Sequence, residues 1–451
     1  MLQIEYNKSL AATIELSLSS LMFQELGPDA RDVLGVVAFF PQGVDENNVD
    51  WLFPTITDRK NIFDKFCVLS LAYRNDGFIT MLAPIRDYLS PKNPISAPLL
   101  CSIKEHYFTR LSIHVEPGKP GFEEAKWIMS EDVNVEHLLD VFTSIDVTSG
   151  GAWGACVGFM KHLAWHKPRL VILGPKIETL PDDHPSKLEC LHHLSRLFDK
   201  VGNHMERKRL LTHTLKLCRE RGEDHQLIRT LRHLSHTNFA MGLYEEGVQQ
   251  AKEALGIAER RGDRVEQAWC LIELARLLRC DIQLDAAEEA ASRAIGLLPE
   301  EGEQFLVCQC HYALGRIYQS KGKTVKAIHH YEVALEIASP FSWLNLLFHN
   351  HFSLAQLLFD EGRFDDAHVH VVYAKSHAVS NHDTYLLARA MWLQASFWHK
   401  QHRLEDAKSE ALRAVDAFEK LGAEITVKRV KELLRLIDHD IRASERFGHP
   451  S

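Results

Sequence analysis

Hydrophobic and small residues recur along this chain with a spacing of 40 positions. The clearest unit reads Leu314-Gly315-x-x-Tyr318, then Gly322, then Ala327, Tyr331 and Ala334. One period earlier stand Leu274-Ala275, Ala287, Ala291 and Ala294, and before them Leu234, Gly242, Gly247, Ala251 and Ala254. One period later stand Leu354-Ala355, Leu358, Gly362, Ala367, Val371 and Ala374, then Ala395, Trp398, Ala407, Ala411 and Ala414. With a weaker copy at Leu194, Gly202 and Leu211, this makes six units. Self-similarity at such a period marks an array in which each unit buries its face against its neighbours. Within a unit, apolar residues at i, i+3, i+4 and i+7 predict one amphipathic helix. A glycine turn follows, as at Lys321-Gly322-Lys323 and Glu361-Gly362-Arg363. The second helix then carries alanines on one face, where their small size lets two helices approach closely.

Ahead of the array the pattern differs. Residues 1–26 place Leu10, Ile14, Leu18 and Leu21 on one helical face, and Gly27-Pro28-Asp29 ends that helix with Asp29 positioned to cap the next. Helices are expected over Ala30–Phe40, Glu46–Leu52 and Arg59–Phe66. The period then drops to two, so Val68–Tyr73 and Phe78–Met81 read as strands joined through the turn Asn75-Asp76-Gly77. A helix from Pro84 to Leu89 follows. Helices and then a hairpin is the order of a winged-helix domain, here over residues 1–92. Between 93 and 180, prolines at 94, 98, 117 and 120 separate helical stretches at Leu99–Leu111, Phe122–Met129, Val135–Phe142 and Ala152–Trp165. These form a helical connector of degenerate hairpins. The repeats span 181–422, and an amphipathic helix from Ala423 to Glu445, within 423–451, supplies the polar cap that an array needs.

Composition narrows the function classes. Apolar content of 45% and charged content of 25% are those of a soluble globular chain. The net charge of −9 argues against generic attraction to nucleic acid or to an anionic membrane. The first residues lack a basic stretch followed by an apolar core, so no signal peptide is expected. The longest apolar run, around Val33–Phe40, is too short to cross a bilayer. Nine cysteines are scattered without a CxxC pair, which points to a reduced, cytoplasmic setting. His162-Leu163-Ala164-Trp165-His166 puts two imidazoles one turn apart, but Leu163 stands where a metalloprotease needs Glu, and no third ligand is evident. The pairs His192-His193, His329-His330, His349/His351 and His368/His370 diverge on a helix. Pro117-Gly118-Lys119-Pro120-Gly121 and Gly174-Pro175-Lys176 lack the spacing and the hydroxyl of a P-loop. No enzymatic activity, cofactor or metal is expected.

The repeat residues, Leu-Gly-x-x-Tyr and then Ala, an aromatic and Ala, match the tetratricopeptide signature. The chain resembles the tetratricopeptide-repeat (TPR) superfamily, in a version with a longer period. The signature's final Pro is approximated at Leu298-Pro299 and Ser339-Pro340. The resemblance implies a mainly α fold, a right-handed TPR α-solenoid behind a small winged-helix-like domain with one β-hairpin. A second resemblance covers the front of the chain. Ala38-Phe39-Phe40-Pro41-Gln42-Gly43, the hairpin, and Met81-Leu82-Ala83-Pro84-Ile85-Arg86-Asp87-Tyr88-Leu89 are similar to the winged-helix segment of STAND NTPases, the NB-ARC/NACHT or NLR-like signalling proteins. In that family a Met-His-Asp motif meets the nucleotide. Here it reads Met81-Leu82-Ala83, so no nucleotide contact carries over. The chain thus resembles the C-terminal part of a fungal NLR-like STAND protein without its NTPase domain.

In the TPR family four positions of each first helix face a concave groove. Carried onto this chain they are Arg229, Arg232, His236 and Phe239; Trp269, Ile272, Arg276 and Arg279; Gln309, Tyr312, Arg316 and Gln319; His349, Phe352, Gln356 and Phe359; and Arg389, Trp392, Ser396 and His399. None is acidic. Repeat one departs from this, with Glu189 and Asp199 beside His192 and Arg196. Arginine next to aromatic rings suits an extended acidic peptide. The alternative is that arginines and rings pair with each other across repeats. The main candidates are Arg229, Arg232, Trp269, Arg276, Arg279, Tyr312, Arg316, Phe352, Phe359, Arg389 and Trp392. The clamp asparagine of the family is absent, so chaperone-tail binding is not implied. The expected function is a scaffold or sensor module of a STAND-type signalling protein. Its partners would be an acidic peptide or protein ligand and a nucleotide-binding domain in cis or in trans. The alternatives are a free-standing TPR adaptor and a winged-helix/TPR transcription regulator. Against the last, the recognition-helix candidate Arg59–Lys65 is ringed by Asp45, Glu46, Asp50 and Asp58.

Overall fold

The computed structural model describes residues 2–113, 126–145, 150–166, 169–299, 302–381, 383–421 and 423–447. The chain packs as two compact units, with most of the residues before Ile177 in one and Ile177 onward in the other.

In the second unit the 40-residue period becomes six helix pairs. They are Lys187–Lys200 with His204–Arg221, Asp224–Ala240 with Tyr244–Arg261, and Arg264–Cys280 with Leu284–Leu297. Then come Gln304–Ser320 with Thr324–Ala338, Leu344–Asp360 with Phe364–Ser380, and Thr384–Lys400 with Leu404–Lys420. Side chains of Asn203, Asp263 and Asp383 cap helix starts, accepting from the amides of Glu206, Glu266 and Leu386 at 3.2, 3.0 and 2.9 Å. The turn inside each pair needs one left-handed residue at a fixed register. Gly202, Gly242, Gly322 and Gly362 supply it in four repeats, and Ile282 and His402 in the other two. The alanine rows, such as Ala287, Ala291 and Ala294, are fully buried between helices. A Cβ on Gly315 would stand 2.5 Å from the ring of Tyr331, so this glycine is set by helix–helix approach. Successive first helices pack against one another, which puts them on the inner side of the array. Glu424–Phe447 closes the end, burying Val427, Val430 and Ile437 with Ala411, Ala414 and Phe418 of the last repeat. The fold is a TPR α-solenoid.

The first unit is helical around a small sheet. Its helices are Leu2–Ser19, Leu21–Gln24, Asp29–Phe39, Val49–Leu52, Arg59–Val68, Ala83–Leu89, Ala97–Leu111, Lys126–Ser130, Asp132–Ile145 and Gly150–His166. Strands β1 (Val44–Asp45), β2 (Tyr73–Asn75) and β3 (Phe78–Thr80) lie in the order β1-β3-β2, all antiparallel. Asp76 and Gly77 both take positive φ between β2 and β3, the backbone of a tight hairpin turn. Two expectations need correction. The first strand of the hairpin is Tyr73–Asn75 and not Val68–Tyr73, because the helix that buries Phe63 and Phe66 runs on to Val68. The two-residue β1 adds a third strand that is too short to show a period. A buried polar cluster fixes the turn after Phe40. Asn134 Nδ2 donates to Gly43 O at 2.9 Å while its Oδ1 accepts from the Gln42 amide at 2.9 Å. Glu131 accepts from Tyr107 and Asn48. Pro117–Gly121 lies outside the described residues.

Candidate ligand groove

The candidate side chains sit on the first helices, at successive turns, and meet their counterparts in the neighbouring repeats. From Arg229 to Arg276 the charges are compensated. Glu189 accepts from His193 Nε2 at 3.0 Å, Gln226 Nε2 at 3.3 Å and Arg229 Nη1 at 2.9 Å. The His193 hydrogen bond, with Arg229 behind it, holds this carboxyl down to about 2 in spite of burial. Arg232 lies over the Trp269 ring at 4.7 Å, with its Nε 3.8 Å from Glu266. Arg276 lies over the Phe239 ring at 4.8 Å and is 3.1 Å from Glu273 and 3.3 Å from His236 Nδ1. Burial alone would raise the Glu273 carboxyl, but Arg276 and His236 hold it at about 2. Arg232 and Arg276 lie over rings of the neighbouring repeat, the pairing that the alternative reading of the sequence described, and carboxylates that it did not include complete the set.

Further along the array the balance changes. Arg279 Nη2 meets Cys280 Sγ at 3.3 Å and feels the like charge of Arg316. Arg316 Nη1 donates to Tyr312 Oη at 3.4 Å. Arg389 lies over the Phe352 ring at 4.9 Å and the Phe348 ring at 5.9 Å. Among the described residues no carboxylate pairs with any of these three, which find only rings, a phenol and a thiol. The His349 ring is 6.0 Å from that of Tyr312 and 5.4 Å from that of Phe348. Burial first, and then Arg389, Arg276, Arg316 and Lys200, push its imidazole down to about 3, so it is neutral at physiological pH. Burial works against ionisation of Tyr312, yet Arg316 holds its phenol below the ordinary value.

The remaining candidates serve packing. Phe352 and Phe359 are buried, and Phe359 stacks on Phe397 with centroids 3.9 Å apart. Trp392 packs with the cluster formed by the last repeat and the terminal helix. Sequence reasoning missed the carboxylates that neutralise the first arginines, because Glu266 and Glu273 lie off the four counted positions. It also missed two histidine pairs between the helices of one repeat. His311 and His330 approach at 3.0 Å, and His351 and His370 at 2.8 Å, Nδ1 to Nδ1. The signal was present, since both partners recur one period apart.

Elsewhere, Arg59 of the recognition-helix candidate is tied to Asp50 at 2.7 Å and to Phe53 O at 2.7 Å. His162 is buried, and the His166 side chain lies outside the described residues. All nine cysteines are free thiols. Among the described residues no three His, Cys, Asp or Glu groups are placed to hold a metal, and no helix is long and apolar enough to cross a membrane.

No family model and no curated protein matches the chain. Among solved structures it is similar to a Rap protein complexed with competence and sporulation factor, at 11% identity and a TM-score of 0.48, covering 77% of this chain and 99% of that one. It is also similar to a Signal Transduction ATPase with Numerous Domains (STAND) protein with a tetratricopeptide-repeat sensor from Pyrococcus horikoshii. That match has 13% identity and a TM-score of 0.49, covering 94% of this chain and 65% of that longer one. A third similarity is to a tetratricopeptide-repeat protein from Parabacteroides merdae, at 14% identity and a TM-score of 0.43, covering 67% of this chain and 98% of that one.

Proposed function

We propose that this chain is a protein-binding module whose array holds an acidic peptide along the inner face of its first helices. One observation carries the reading. Arg279, Arg316 and Arg389 offer three half-buried guanidinium groups that have no carboxylate partner among the described residues, in a chain of net charge −9. Half-buried charge is costly unless a counter-charge meets it, and a ligand carboxylate would supply one through forked hydrogen bonds. Arg229, Arg232 and Arg276, already engaged by Glu189, Glu266 and Glu273, frame the groove. The test is fluorescence anisotropy with a labelled octaglutamate peptide. Arg279→Glu/Arg316→Glu should weaken binding by about tenfold or more, since a hydrogen bond to a charged group contributes roughly 1.5–3 kcal/mol. Equal affinity for wild type and variant would end the groove reading.

The helical unit with its small sheet, placed ahead of the array, supports the further reading that this is the sensor half of a STAND-type protein. A nucleotide-binding domain in cis or in trans would then read out ligand capture. Affinity purification from the native host should recover a nucleotide-binding partner. Recovery of peptide ligands alone would favour a free-standing adaptor.

A further inference from the structure

Arg279, Arg316 and Arg389 come from three different repeats, and contacts link the last two. Arg316 reaches the Tyr312 hydroxyl at 3.4 Å, the Tyr312 ring is 6.0 Å from that of His349, the His349 ring is 5.4 Å from that of Phe348, and Arg389 lies over the Phe348 ring at 5.9 Å. Arg279 joins them through the like charge it shares with Arg316. The groups that bear electrostatically on His349 are Arg389, Arg276, Arg316 and Lys200, all cations. The carboxylates Glu189, Glu266 and Glu273 are held by Arg229, Arg232 and Arg276. One ligand carboxylate would offset a single guanidinium and leave two uncompensated. A phosphoryl group carries about −1.5 to −2 and three strong acceptor oxygens, one for each guanidinium. Resting on the groove reading above, we infer that the centre of the groove is a seat for one phosphoryl group borne by the bound peptide, held by Arg279, Arg316 and Arg389 with Tyr312 and His349 alongside.

Titration calorimetry with three heptapeptides tests this. Each alternates alanine and glutamate around a central residue, which is phosphoserine, aspartate or serine. The phosphoserine peptide should bind at least about tenfold more tightly than the other two, as charge-assisted contacts to a dianion exceed those to a monoanion. Arg316→Gln and Arg389→Gln should each remove most of that difference. Arg293→Gln, on the second helix of repeat three and paired with Glu259, should preserve it. Circular dichroism of each variant checks folding, and the loss must appear in both groove variants. Equal binding of all three peptides, or of aspartate and phosphoserine, overturns the phosphoryl seat and leaves the acidic groove standing. Failure of all three to bind overturns both.

Discussion

Ile282 holds a backbone conformation that a β-branched residue rarely adopts. Its φ is +62°, at the register where four other repeats use glycine. Its side chain is 81% exposed, so replacing it forfeits no packing. Ile282→Gly should therefore stabilise the array by up to about 1 kcal/mol, the left-handed strain less the entropy of a freer unfolded chain. A urea midpoint that stays level or falls would count against strain at this turn. Glu273 gives a second test. Its carboxyl is held at about 2, against an ordinary value of 4.5. A depressed carboxylate contributes stability that is complete above 4.5 and is lost as pH falls toward 2. Glu273→Gln should thus cost on the order of 3 kcal/mol of stability at pH 7, read as a lower urea midpoint, and the gap to wild type should narrow as pH drops from 4.5 to 3. A gap independent of pH would show that Glu273 acts by packing alone. The turn register was legible from the glycines, but an isoleucine in that register carries no local signal. Which arginines are neutralised was equally hidden, since Glu273 meets Arg276 only once the helix places it one turn away.

Elements were legible in proportion to how often they repeat. The six helix pairs follow from a pattern that each copy confirms, whereas Val68–Tyr73 occurs once. A short apolar run fits the last turn of a helix as well as a strand, and here the helix that buries Phe63 and Phe66 takes Val68, so the strand begins only at Tyr73. The terminal helix Glu424–Phe447 was legible from its amphipathic face, and its role can be tested by itself. Val430 is fully buried against the last repeat. Val430→Asp places an unpaired carboxylate there, and should cost about 3–5 kcal/mol. In an array each repeat is coupled mainly to its neighbours. The loss should therefore appear as faster hydrogen exchange in Thr384–Lys400 and Leu404–Lys420, with Asp224–Ala240 little changed. Uniform acceleration along the array would instead show one cooperative unit.

At the scale of the whole molecule, a net charge of −9 conceals a local surplus of cations, since composition averages over faces that only the fold separates. The same folding sequesters imidazoles along the array. His193 and His330 are pushed down to about 4, and His349 and His351 to about 3, with burial the first cause in each. The ordinary value is 6.5. In the unfolded chain these groups take up protons near 6.5, while in the folded chain they stay neutral until well below it. Stability should then be level above pH 6.5 and fall as pH drops, by up to about 1.4 kcal/mol per pH unit for each such imidazole. The depressed carboxylates Glu189 and Glu273 respond only below 4.5, so between pH 6.5 and 4.5 the histidine contribution is not masked by theirs. Urea midpoints measured from pH 8 to pH 5 should show a plateau and then a decline. His330→Gln/His351→Gln should flatten the decline, even though each substitution lowers the plateau by disturbing a histidine pair. A midpoint that is unchanged between pH 7 and pH 5 would mean that these imidazoles take up protons in the folded array. The neutral state of His349 would fall with it.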